Sequence, residues 1–159
     1  MINQKITLHL ILLFSVFAVS AAYFIEYILG HQPCNLCLIE RIPYIISVIL
    51  ILLIIFIQKF ERFFLVILSI TFIIAFIISF YHFGIEQGFI KESLVCDLNS
   101  NNTDLTKEAL LNQLKEVTVS CKDITFKILG LSLATINIFI SLIIATITIK
   151  LFLTYEKNK

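Results

Sequence analysis

Cys34 and Cys37 stand in the stretch Pro33-Cys-Asn-Leu-Cys-Leu-Ile-Glu-Arg41-Ile-Pro43, and two further cysteines, Cys96 and Cys121, complete the four of the chain. A bridge between Cys34 and Cys37 would close almost no loop and remove little unfolded-state entropy, so the pair makes a poor staple. A C-x-x-C in a short loop reads instead as a redox or metal element. The thiolate is the reactive form, and nearby cations or a helix N-terminus favour it. The sequence places Cys37 at or just before the start of a helix, where the dipole favours negative charge. Arg41 follows four residues on, a planar cation with several donors for an acceptor oxygen. Pro43 sits comfortably only in a first helical turn; if the helix begins near Ile42, Arg41 flanks it as an interfacial anchor. Glu40 then reads as an ion-pair partner of Arg41, worth little if exposed.

The elements that must position these residues are membrane helices. Of 159 residues 59% are hydrophobic and 14% charged, with a mean hydropathy of +1.00. Soluble domains average about 45–50% apolar and roughly 25% charged. A net charge of +1 gives no basic face for nucleic acid. Four apolar stretches are long enough to cross a bilayer: 6–29, 42–57, 63–80 and 128–149. Their Ile-rich composition would read as buried strands in water, but their length and lack of internal turn signals favour helices in lipid. A cleaved leader ending near Ala18-Val-Ser20 is the competing reading of the first stretch; the apolar run continues to Leu29, longer than such a leader needs. The predicted fold is a single all-α domain over 1–159, a four-helix membrane bundle with outer loops at 30–41 and 81–127.

Lys5, Lys59, Arg62, Lys150, Lys157 and Lys159 lie in the head, the tight turn 58–62 and the tail. The positive-inside rule makes those segments cytoplasmic and puts both termini inside. The two outer loops, and with them all four cysteines, then share the opposite face, where disulfides persist in a bacterium with an outer compartment. Four cysteines allow three pairings, and the residues alone leave them open. Structural disulfides are one alternative and zinc another, although no second C-x-x-C or adjacent His completes a zinc set.

With Cys34-Asn-Leu-Cys37…Arg41, four spans, a later cysteine pair in the second outer loop, Tyr81-His-Phe-Gly-Ile-Glu86-Gln and Leu129-Gly-Leu131, the chain resembles the DsbB family of disulfide bond formation proteins. The resemblance implies a bacterial inner-membrane thiol oxidase that reoxidises a periplasmic thioredoxin-like (DsbA-like) dithiol oxidase and passes electrons to ubiquinone or menaquinone. It implies that Cys34 and Cys37 form the membrane-proximal pair, with Cys37 nearest the quinone and Arg41 assisting its binding. It implies that Cys96 and Cys121 form the shuttle pair, with Cys96 making the mixed disulfide with the partner. Asp97 beside Cys96 departs from what a reactive thiolate wants. A four-span reductase resembling the vitamin K epoxide reductase family is a further alternative, though there the C-x-x-C comes late in the chain.

Other residues receive blander readings. His82 is placed at the interface near Glu86, where it could relay protons to a quinone or simply face headgroups. Glu26 is expected to face headgroups, and His9 and Asn137 to pack between spans. Leu105, Ala109, Leu110, Leu114 and Val117 recur at helical spacing and predict a short amphipathic helix in the second outer loop. A flexible stretch over 99–104 is expected before it.

Overall fold

The computed structural model describes residues 2–91, 121–122, 127–128 and 130–157. Helix α1 runs Ile2–Tyr27, α2 Asn35–Ile39 and α3 Ile42–Phe56; a 3-10 turn at Gln58–Phe60 leads into α4, Glu61–Glu86. Strands β1 (Lys127–Ile128) and β2 (Leu131–Ser132) form a small antiparallel hairpin. Its turn uses Gly130 at φ 84°, where a residue without Cβ is unstrained. The last helix, α5, spans Leu133–Lys157. Among the described residues, four segments are long and apolar enough to cross a membrane: Gln4–Tyr27, Asn35–Phe56, Glu61–Glu86 and Leu133–Thr154. The expected amphipathic helix, the 99–104 stretch and Cys96 lie outside the described residues.

The helices pack in series, α1 on α3, α3 on α4 and α4 most extensively on α5. Leu8 and Ile11 of α1, Leu50, Ile51 and Ile54 of α3, Leu65, Leu68 and Phe72 of α4, and Ile144 of α5 make one continuous core. Phe72 meets Tyr44 edge-on at 5.9 Å between ring centroids. Leucine, isoleucine and phenylalanine also cover the outside, for example Leu13, Phe17, Ile49, Ile70, Ile77 and Phe139. Lipid is as apolar as these side chains, so helix contacts depend on close packing and small polar residues. Ser15 and Ser47 meet that need across the α1–α3 contact, 2.8 Å apart and fully buried. Ser69 and Ser79 return their hydroxyls to carbonyls one turn back, on Leu65 and Ala75.

Helix limits differ from the predicted spans in ways that matter for the site. The second span begins at Asn35, so Cys37 lies inside a helix and Cys34 is the N-cap. Helix α3 starts at Ile42 with Pro43 in its first turn, which leaves Arg41 at the joint between α2 and α3. Helix α4 continues past Phe80 to Glu86. The polar side chains there looked like a loop in the sequence, but His82 and Glu86 turn inward to partners on other elements. After α4 the chain reverses at Gly88 (φ 75°), and Ile90 N–H donates to Gly84 O at 3.0 Å. A Cβ on Gly84 would lie 2.6 Å from Ile90 Cδ1, so the glycine lets the Ile90 side chain lie directly against the helix.

Candidate redox site at the loop-bearing end of the bundle

Pro33 leads into Cys34, whose backbone is extended (φ −73°, ψ 165°), the geometry an N-cap requires. Its sulfur accepts the Cys37 N–H at 3.3 Å. Cys34 and Cys37 both carry free thiols, whereas Cys121 is disulfide-bonded. Cys34, 6% exposed, packs with Leu36, Ile85 and Cys121 in a small apolar cluster. The Cys34 and Cys121 sulfurs and one His82 ring nitrogen lie within 4.8 Å of one another. With its sulfur already in a disulfide, Cys121 leaves that trio two donors, half of what a structural zinc site takes.

The thiol poised by its surroundings is Cys34, held well below the usual thiol range at about 5. Hydrogen bonding from the Cys37 side chain does most of this; burial opposes it, and the His82 hydrogen bond and charge add to it. The sequence had put Cys37 at the helix N-terminus. Because α2 starts at Asn35, that position belongs to Cys34, and Cys37 becomes its donor.

His82 is 2% exposed. Its Nε2 lies 3.5 Å from Cys34 Sγ and its Nδ1 2.9 Å from Glu40 Oε1. The other Glu40 oxygen accepts Asn137 Nδ2 at 3.1 Å. Asn137 Nδ2 also reaches Ser79 Oγ at 2.8 Å, and Asn137 Oδ1 accepts the Tyr44 hydroxyl. A buried carboxylate without partners would cost several kcal/mol; Glu40 is held by an imidazole and an amide. Glu86 Oε2 accepts from Ser132 Oγ at 2.5 Å, and its Oε1 faces His82 Nε2 at 3.8 Å.

Arg41 does not pair with Glu40. Its Nη1 meets Glu26 Oε2 at 2.5 Å, and its guanidinium stacks over the Tyr23 ring at 5.1 Å. Glu26 is thus tied into the site instead of facing headgroups. His9 is exposed and bonds the Lys5 carbonyl, away from this end. The sequence singled out the cysteines, Arg41 and His82, and the structure brings Cys34, Cys37, Cys121, Arg41 and His82 around one cavity; Cys96 is not described. Sequence reasoning missed Tyr44 and Ser132 and gave Asn137 a packing role, although a lone amide in an apolar span is itself a signal. It took Glu40 and Glu26 for surface charges.

The cavity measures about 240 Å³. One wall is apolar, with Ala18, Ala21, Ala22 and Ile25 of α1 facing Ile136 and Ile140 of α5. Its other end carries Cys34, Cys37, Glu40, Arg41, His82 and Asn137. Sites that enclose a whole drug-sized ligand run to roughly 300–1,000 Å³, so this cavity lies just below that range. Alanines on α1 leave the space that larger side chains would fill.

A family model described as disulfide bond formation protein DsbB matches residues 4–151. An uncharacterized protein of Rickettsia prowazekii (strain Madrid E) is 30% identical over 149 residues, covering 91% of this chain and 84% of the relative. No solved structure matches the chain.

Proposed function

Since the chain belongs to the DsbB family of disulfide bond formation proteins, a family of membrane thiol oxidases, we propose that it reoxidises a reduced thioredoxin-like dithiol partner at the outer face of the bacterial inner membrane and gives the electrons to a membrane quinone. The observation that carries this reading is the closeness of Cys34 to the Cys121 disulfide sulfur, within 4.8 Å, beside groups that favour a Cys34 thiolate.

Each thiol step is attack by a thiolate on a disulfide sulfur. The partner's thiolate attacks Cys96 of a Cys96–Cys121 disulfide and frees the Cys121 thiolate; the partner's second thiol then releases Cys96 and leaves as a disulfide. Cys121 attacks Cys34 of a Cys34–Cys37 disulfide, forming Cys34–Cys121 and freeing Cys37. Cys96 next attacks Cys121, restores its own bridge and expels Cys34. Expulsion is eased because a low-pKa thiolate leaves faster, and the Cys37 N–H and His82 Nε2 are already aimed at that sulfur. One pair of electrons has then reached Cys34 and Cys37, the state of the described thiols.

The cavity fits a quinone head by its size, its apolar wall and its polar end. A quinone supplies the two-electron, two-proton sink that re-forms the Cys34–Cys37 bridge. Arg41 would hold a ring oxygen through its donors, Cys37 would face the ring, and His82 would hold a proton. Lys5, Lys59, Arg62 and Lys150 at the opposite end support a cytoplasmic placement of both termini.

The test is anaerobic mixing of the purified chain in lipid with a reduced thioredoxin-like partner and quinone, followed at the quinone's ultraviolet band. One quinone consumed per partner dithiol is expected, with none consumed by Cys37→Ser. A chain whose thiols titrate correctly yet reduces no quinone would overturn the proposal.

A further inference from the structure

The exchange scheme leaves one acid beside His82, Glu86, without a role. Glu86 lies one helical turn beyond His82 on α4, with its side chain 6% exposed. Ser132, just before α5, donates to its Oε2. Ser132 is itself fixed, because its Oγ pairs with the Thr135 hydroxyl at 2.9 Å and accepts the Thr135 N–H at 3.2 Å. This carboxylate is therefore anchored by the start of α5 and points its remaining oxygen at His82 Nε2, 3.8 Å away.

His82 Nε2 thus faces two acidic acceptors, Cys34 Sγ at 3.5 Å and Glu86 Oε1 at 3.8 Å. Its Nδ1 is committed to Glu40. An imidazole protonated on both nitrogens needs an acceptor at each. A Cys34 thiolate supplies the second. Once Cys34 enters a disulfide its sulfur is neutral and a weak acceptor, and the buried Nε2–H would be stranded, at the cost of an unsatisfied donor.

We infer that Glu86 is the alternate acceptor for the His82 Nε2 proton, taking it over from Cys34 whenever Cys34 is in a disulfide and yielding it back when the Cys34 thiolate is expelled. The inference rests on the proposed alternation of Cys34 between thiolate and disulfide. A rotation of the Glu86 side chain of about 1 Å brings Oε1 within the roughly 2.7–3.2 Å of a hydrogen bond. The proton count closes: a Cys34 thiol gives its proton to His82; when the S–S bond forms, the pair's two electrons pass to the oxidant, the proposed quinone or the diamide of the test below, Cys37 gives up its own proton with them, and the His82 proton stays on Nε2, now facing Glu86. When two electrons return to that bond, Cys34 leaves as a thiolate and Nε2–H turns back to it. The other titratable groups facing this point are Cys37, hydrogen-bonded to Cys34, Glu40, held on Nδ1, and His31, Arg41 and Tyr44 in the shared cavity. Glu86 is a positioning residue here: it lines the shared cavity and acts on Cys34 through His82.

The test reads the proton itself. The full chain, labelled with 15N-histidine and held in lipid nanodiscs, is compared as wild type and Glu86→Gln, each reduced with dithiothreitol and then oxidised with diamide. At about pH 8, above the ~6.5 of an ordinary imidazole, the wild type is expected to keep His82 Nε2 protonated in both redox states. Glu86→Gln is expected to match it when reduced and to lose the Nε2 proton when oxidised. A purely structural role would move both redox states alike, and that outcome, or no change in either, overturns the inference. Should Glu86→Gln not fold, Glu86→Asp decides: its shorter carboxylate should lose part of the Nε2 proton signal in the oxidised state alone. Neither partner nor quinone enters this measurement, so a failed turnover assay with the redox-dependent signal intact would remove the proposed function and leave the Glu86 assignment standing.

Discussion

His82→Gln isolates the imidazole's share in holding the Cys34 thiolate. The amide keeps a donor toward Glu40, so the buried carboxylate is not abandoned, but the cation beside Cys34 is lost. A hydrogen bond to a charged group is worth about 1.5–3 kcal/mol, and one pH unit corresponds to ~1.36 kcal/mol. Removing His82's part should therefore raise the half-titration point of Cys34, about 5 in the intact site, by about one to two pH units. The Cys37 side chain, the larger cause, should keep it below an ordinary thiol. The assay is the rate of Cys34 alkylation by iodoacetamide against pH, read by mass on the reduced chain. A rate at one pH would mislead, because a more basic thiolate is also a better nucleophile, with a Brønsted slope of about 0.4–0.5. The variant's plateau at high pH should accordingly rise about three- to eightfold while its midpoint moves up. The sign for redox follows: a depressed thiol favours the reduced pair above its own half-titration point, and that contribution fades as pH falls through about 5. Losing it should make the Cys34–Cys37 couple more reducing by ~30–60 mV near pH 8, at ~30 mV per tenfold change for two electrons. An unmoved alkylation midpoint would refute the role given to His82.

Three further outcomes are expected. Arg41→His should raise the KM for quinone about tenfold or more, the loss of about 1.5 kcal/mol of charge-assisted binding, with the partner's KM unchanged; an equal rise in both would make Arg41 an anchor only. Tyr44→Phe removes the Tyr44 donor from Asn137 Oδ1, leaving only the long 3.5 Å contact from Ser141 Oγ, and should lower stability by about 1–2 kcal/mol, read as a drop in Tm in detergent. Gly84→Ala brings a Cβ against the flexible end of the Ile90 side chain; Ile90 should rotate away at a cost that the better helix propensity of alanine, about 0.5–1 kcal/mol, largely offsets, leaving Tm nearly unchanged.

Much of the bundle was legible because lipid imposes a single rule: roughly 20 apolar residues per crossing. The helix ends were not, since polar residues there were judged by their own type. Tyr81-His-Phe-Gly-Ile-Glu86 reads as loop until Glu40, Cys34 and Ser132, all distant in sequence, are seen to satisfy it. The five-residue α2 is too short to announce itself by periodicity, and its start at Asn35 gives the N-cap position to Cys34 instead of Cys37. Glu40 beside Arg41 looks like a pair in the chain, yet the joint between α2 and α3 turns them apart, one to His82 and the other to Glu26. The cysteines and Arg41 stood out because few other functions call for such residues at the rim of a span. The role of Asn137 did not, because its partners Tyr44, Glu40 and Ser79 all lie far from it in sequence.

The fold-back of Ile90 onto Gly84 has an evolutionary corollary. Ile90 packs on the same apolar cluster as Cys34 and Cys121, so the stretch between them leaves and rejoins the protein at one spot. Doubling the length of a loop between fixed ends costs only ~0.6 kcal/mol in closure entropy. In descendants of this chain, insertions or deletions between residues 91 and 121 that keep Cys96 should therefore leave the moorings at Ile90 and Cys121 in place.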